Sequence, residues 1–123
     1  MPVQFTTRAR AKPDAEGWPY WQADGKPRTL KGTGRINWLA KDPAWKDTLD
    51  FRGRRDVESP RDKWTRIECI CRGSRISVLV NGRKVNEAYD VFPAAGKILL
   101  QCEGSEVLYR KVELRPLSEE NDK

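Results

Sequence analysis

Gln101, Glu103 and Arg110 fall close together near the end of the chain, in the stretch GKILLQCEGSEVLYRKVELRPL. An amide, a carboxylate and a guanidinium supply between them an acceptor, a base and a fixed cationic donor. The stretch is therefore either a sheet-closing hairpin or the wall of a site for a polar ligand. The chain has no histidine. Any general base must then be a carboxylate, a lysine or a tyrosine. Cys69, Cys71 and Cys102 are an odd set of three. A C-x-C pair with one distant cysteine and no histidine is a poor zinc set, and an odd count does not make a disulfide framework. Cys69 and Cys71 read instead as small hydrophobes buried on one strand face.

The elements that carry these residues read as β-strands. In KWTRIECICRG, Ile67, Cys69 and Cys71 alternate with Glu68 and Arg72, Ile70 being the apolar exception. Period-two patterning predicts a strand with the first set facing a core. Gly73-Ser74 supplies a turn, and RISVLV continues the alternation. Asn81-Gly82 suits a two-residue hairpin, because both residues tolerate positive φ. Arg83 to Glu87 returns as a strand, and YDVFPAAG reads as a loop. KILLQCE and EVLYRKVELRPL predict two further strands, with Gln101 and Glu103 on one face and Arg110 beside Leu108 and Val112 on another. Pro116 ends the last one.

Residues 1–63 are rich in Gly, Pro, Trp and charge, and their patterns are less regular. VQFTTRARA predicts a strand, GRINWLAK another, and DPAWKDTLDF a short helical turn capped by Asp42 with Pro43 at its first position. Trp18, Tyr20 and Trp21 are read as loop residues. Tight turns between strands predict an antiparallel all-β sandwich over residues 1–117, with a polar, disordered tail at 118–123. Such a sheet needs a second layer from the first half or from a partner. An uncovered face and free edges make self-association the natural alternative.

Composition limits the partners. Of 123 residues, 24 are Lys or Arg and 18 are Asp or Glu, a net charge of +6 spread with no long run of one sign. No nucleic-acid motif accompanies that excess, so nucleic-acid binding is not expected. No apolar run approaches the ~20 residues of a membrane helix. The first residues hold no apolar segment of signal-peptide type, so this chain as it stands carries no export signal.

From Trp64 onward the order of features is specific. Trp64 precedes Glu68, Gly73 sits in a turn, and Asn81-Gly82 is followed by Val85. Then come Gly96-x-Ile98-x-Leu100-Gln101, Gly104, Val107, Arg110 and the closing Arg115-Pro116-Leu117. This C-terminal half resembles the 3-keto-disaccharide hydrolase domain family, and EGWPYWQ weakly matches a Gly-Trp-Pro segment of some members. The resemblance implies a concanavalin-A-like (laminin-G-like) β-sandwich of jelly-roll type. Family members are longer, often exported from bacteria, and begin with strands not legible here. Lys111 stands where an Asn often follows the Arg, and Cys102 where an acidic residue or His often follows the Gln.

The activity implied is cleavage of glycosides already oxidised at carbon 3. A base removes the acidified C2 proton, the C1 substituent leaves, and water adds back. No nicotinamide or flavin is implied, since the substrate arrives oxidised, and the residues offer no legible metal-ligand set. Candidate catalytic residues are Glu68 and Glu103. Gln101, Arg110, Trp18 and Trp21 are candidates for holding a small sugar or oligosaccharide, the indoles by stacking on apolar sugar faces. Each has a plainer reading: Glu68 as a salt-bridged strand residue, Glu103 as a turn residue, Gln101 as a partner for backbone, and Arg110 as a side chain lying over apolar area. The indoles would then cover one end of the sandwich. A non-catalytic, lectin-like module remains the alternative function.

Overall fold

The computed structural model describes residues 4–32, 36–38, 40, 42–102 and 104–117. Among them there is no helix, and six strands form one open antiparallel sheet: β1 (Thr6–Pro13), β2 (Pro19–Trp21), β3 (Lys26–Lys31), β4 (Ile67–Arg72), β5 (Arg75–Val80) and β6 (Arg83–Phe92). The all-β antiparallel class expected from the sequence is present, and the sheet is consistent with a β-sandwich fold.

β1 organises the first half. Thr6 and Arg8 pair with Lys31 and Thr29 of β3, and also with Phe92 and Tyr89 of β6. A strand has two edges, so β3 and β6 must lie on opposite sides of β1. Ala11 likewise pairs with both Lys26 and Trp21, which places β2 on the β6 side. The order continues from β6 to β5 and β4, leaving β3 and β4 as the outer strands.

Alternation along β1 buries Thr7, Ala9 and Ala11 and exposes Arg8 and Arg10. Ala9 and Ala11 form the core with Ile36, and Trp21 and Leu30 pack against it. Small residues suit this place because Gly25 lies directly against the Ala11 backbone, where a Cβ would come within 2.7 Å. Asn86 ties the loop to the sheet by donating from Nδ2 to the Ile36 carbonyl at 3.0 Å. Val80, Val85 and Val91 are buried on the later strands.

The Asn81-Gly82 hairpin is present as expected. Both residues have positive φ, 50° and 81°, between the paired Val80 and Arg83. Asn81 also fastens the preceding loop. Its Oδ1 accepts from Arg66 N at 3.0 Å, and its Nδ2 donates to the Val57 carbonyl at 2.8 Å.

Several expectations are corrected. The face of β4 expected to be covered is open: Ile67 is 59% exposed and Cys69 and Cys71 are exposed, while Glu68 and Ile70 on the other side are half-buried. The cover over Val80 does not extend to its pairing partner Ile67 on the outer strand. The described residues of 93–117 form no strand, and Ile98, Leu99, Leu108 and Leu114 are all exposed. KILLQ is apolar on successive residues, so it offers no single face to bury, and alternation alone cannot provide a sheet edge to pair with. Asp42 accepts from Ala44 N at 2.8 Å as a cap would, but the chain turns without forming a helix. GRINWLAK contributes a single parallel bridge, Tyr20 to Asn37, among its described residues. Conversely, PYW is strand β2 where a loop is expected, and KPRTLK is the unforeseen β3.

Candidate functional site

Paired residues in an antiparallel sheet project to the same face, which sorts the side chains without ambiguity. Arg8 pairs with Tyr89, and Arg10 with Pro27. Glu87 pairs with Ser77, and Ser77 with Ile70, the neighbour but one of Glu68. One face of the sheet therefore carries Arg10, Arg8, Tyr89, Glu87, Arg75, Ser77, Ile70 and Glu68. The opposite face carries Ala9, Ala11, Ile76, Val78 and Val80.

On the polar face lies a cleft of about 360 Å³, lined by Arg8, Arg10, Trp21, Pro27, Arg75, Glu87 and Tyr89. β1 supplies two arginines at alternate positions, β5 supplies the third, and β6 supplies the acid and the phenol. Glu87 is the most enclosed of the charged groups, with a side chain 19% exposed. Its Oε1 accepts from Arg75 Nη1 at 2.7 Å, and its Oε2 accepts from Ser77 Oγ at 3.0 Å and from Lys84 Nζ. Burial pushes its pKa up. The hydrogen bonds from Lys84 and Ser77, with the charges of Lys84 and Arg75, outweigh burial and hold it below the usual carboxylate value. Glu87 is thus ionised at neutral pH.

Tyr89 sits among cations. The guanidinium carbons of Arg8 and Arg75 lie 5.4 and 5.7 Å from its ring centroid, within cation–π range. Arg8 also reaches Asp90 at 3.9 Å, a long pair between exposed side chains. Arg10 is anchored differently: its Nη1 donates to the Gly25 carbonyl at 3.2 Å. Among the described residues Arg10 has no carboxylate partner.

The candidates read from sequence are distributed unevenly. Trp21 lies at the cleft. Glu68 is on the same sheet face but outside the lining, on β4, where Arg66 Nε approaches its Oε1 at 3.2 Å. Trp18 is 60% exposed in the turn between β1 and β2. Gln101 is exposed, and its carbonyl accepts from the Tyr109 hydroxyl at 3.1 Å. Arg110 stacks over the Trp64 ring at 4.6 Å, away from the cleft lining. Glu103 lies outside the described residues. The cleft's other groups went unread in the sequence. Their one signal was the alternation of Arg8 and Arg10 against Thr7, Ala9 and Ala11 on β1.

Comparison with known families covers nearly the whole chain. A family model described as a 3-keto-alpha-glucoside-1,2-lyase-like domain matches residues 3–115. The chain belongs to that family. The membership is not confined to the C-terminal half, where the resemblance was legible, but includes β1 to β3 and hence both cleft arginines of β1. No curated protein and no solved structure matches the chain. As a member of the lyase-like family, the chain can be tested against one chemistry, removal of a proton next to a ketone. That chemistry needs an ionised base and fixed positive charge near an enolate oxygen. The cleft lining holds one ionised carboxylate, Glu87, and three guanidiniums, Arg8, Arg10 and Arg75.

Proposed function

We propose that the protein is a carbohydrate-active domain that cleaves 3-keto glycosides by elimination, with the cleft between β1, β5 and β6 as its site. The observation that carries the reading is one enclosed carboxylate among three guanidiniums and a phenol, in a member of a 3-keto-glucoside lyase-like family. In this reading Glu87 takes the C2 proton. The electron pair forms the C2–C3 double bond of the enolate, whose oxygen faces the arginines. The pair then collapses to expel the C1 oxygen substituent, which departs with the proton that Glu87 has taken from C2. Water adds to the resulting enone in the hydrolytic outcome. The Tyr89 ring offers the sugar an aromatic surface on this face, since Trp21 pairs with Ala11 and packs on the core of the other face. No oxidant or reductant enters, because the substrate already carries the ketone.

Glu68 is the second carboxylate of this face and remains a candidate base, with Glu103 beside it in the reading from sequence. Gln101 and Arg110 are carried by the C-terminal segment and Trp18 by the turn between β1 and β2, and none of the three lines the cleft.

One observation favours the second reading, a non-catalytic sugar-binding module. Both oxygens of Glu87 already accept hydrogen bonds, and a low-pKa carboxylate is a weak base. The two readings separate by following a 3-keto disaccharide by NMR. Elimination predicts sugar release and C2 proton exchange, both lost in Glu87→Gln while binding persists. Binding with no release and no exchange in the wild-type chain identifies the module. Neither binding nor turnover refutes both.

A further inference from the structure

The cleft is cationic beyond what an uncharged sugar requires. Three guanidiniums face one carboxylate within its lining. Glu87 is matched by Arg75 and by Lys84, so it leaves no negative charge over for the two arginines of β1. Among the described residues Arg8 has one acid partner, Asp90, at 3.9 Å. Arg10 spends one donor on the Gly25 carbonyl, and its remaining donors meet no acid among the described residues. Arg8 and Arg10 are alternate residues on one strand face, roughly 7 Å apart at about 3.4 Å per residue. The Tyr89 ring lines the same cleft, on the face of these arginines.

A neutral glycoside entering here would strip water from guanidiniums and offer them only neutral acceptors. A carboxylate would return ion-paired, bidentate bonds to a planar donor fork. We infer that this cleft selects an acidic saccharide, a glycoside carrying a uronate carboxylate held by Arg10 and Arg8. The inference rests on the carbohydrate reading of the cleft and adds the chemical class of its ligand. The Tyr89 ring on the same face gives the sugar an aromatic surface that a bare anion does not use. The long Arg8–Asp90 pair is replaced by the incoming carboxylate.

The test is calorimetric titration with a glucuronyl-glucose disaccharide, its neutral glucosyl-glucose counterpart and inorganic sulfate. The acidic disaccharide is expected to bind at least about tenfold more tightly than the neutral one. That preference should weaken as salt rises. It should disappear in Arg10→Gln and in Arg8→Gln, exposed positions on β1 whose replacement leaves the core alone. It should persist in Arg28→Gln, an exposed residue of β3 paired with Ala9 and so on the other face. Circular dichroism checks that each variant is folded, and Arg10→Lys gives a charge-retaining companion. Equal affinity for the acidic and neutral sugars overturns the inference while leaving the carbohydrate reading standing. Binding of neither overturns both. Sulfate binding as tight as the acidic sugar, or a preference that survives both β1 variants, also overturns it.

Discussion

Two glycines with similar crowding should respond very differently to the same added methyl group. A Cβ on Gly25 would lie 2.7 Å from the backbone N, C and O of Ala11. Ordinary contact between heavy atoms is about 3.5–4.0 Å, so the strands must separate by most of an ångström. Gly25 directly precedes β3, whose first pair is Lys26 with Ala11, and its carbonyl holds Arg10. Relief of the clash therefore opens the end of that ladder. Overpacking of about 1–3 kcal/mol plus one lost hydrogen bond at about 1 kcal/mol gives roughly 2–4 kcal/mol for Gly25→Ala. A Cβ on Gly53 would meet Asp42 Oδ2 at 2.5 Å, nominally closer. That atom is the free end of a side chain that rotates away, at the expense of its hydrogen bond to Ala44 N. Gly53→Ala should therefore cost no more than about 1 kcal/mol. Urea unfolding measures both. With m of about 2 kcal/mol/M, Gly25→Ala should lower the midpoint by about 1–2 M and Gly53→Ala by less than about 0.5 M. Equal midpoints for the two variants, or a neutral Gly25→Ala, would refute the reasoning that backbone contact, rather than distance alone, sets the cost.

Other outcomes follow from single groups. Glu87 has its pKa depressed in the folded chain, so its contribution is present above the unfolded carboxylate pKa and lost as pH falls through the folded value. The stability gap between wild type and Glu87→Gln should shrink steadily on acidification below about pH 4, and a gap independent of pH would contradict the assigned pairing. Asn81→Ala removes three side-chain bonds and leaves a β-carbon residue at φ 50°, costing about 2–4 kcal/mol. Asn81→Gly keeps the backbone conformation accessible and should recover about 1 kcal/mol of that in thermal unfolding. Partial desolvation of its thiol, and then the neighbouring Cys71, raise the pKa of Cys69 although the residue is exposed, so Cys69 should alkylate more slowly near neutral pH than free cysteine in peptide mass mapping.

The period-two pattern in RIECICR and RISVLV, with Asn81-Gly82 after it, made β4, β5 and their hairpin to β6 legible. That chemistry is local: alternation sets the faces, and two residues tolerant of positive φ set the turn. The all-β class followed from the same signals. The strands expected at KILLQCE and EVLYRKVELRPL did not form among the described residues, because alternation states which side a residue would take but not whether a neighbour is there to pair. The same limit inverted β4. Ile67, Cys69 and Cys71 do share a face, but it is an open one at the sheet's outer strand. The cleft was the least legible part. Arg75, Glu87 and Tyr89 share one hairpin, but Arg8 comes from β1, near the start of the chain, and nothing near either announces the other. Their residue types were determined by sequence. Their convergence was decided by the pairing of β1 with β6, because only a long-range register brings an arginine from the start of the chain beside a tyrosine and a glutamate from its later half.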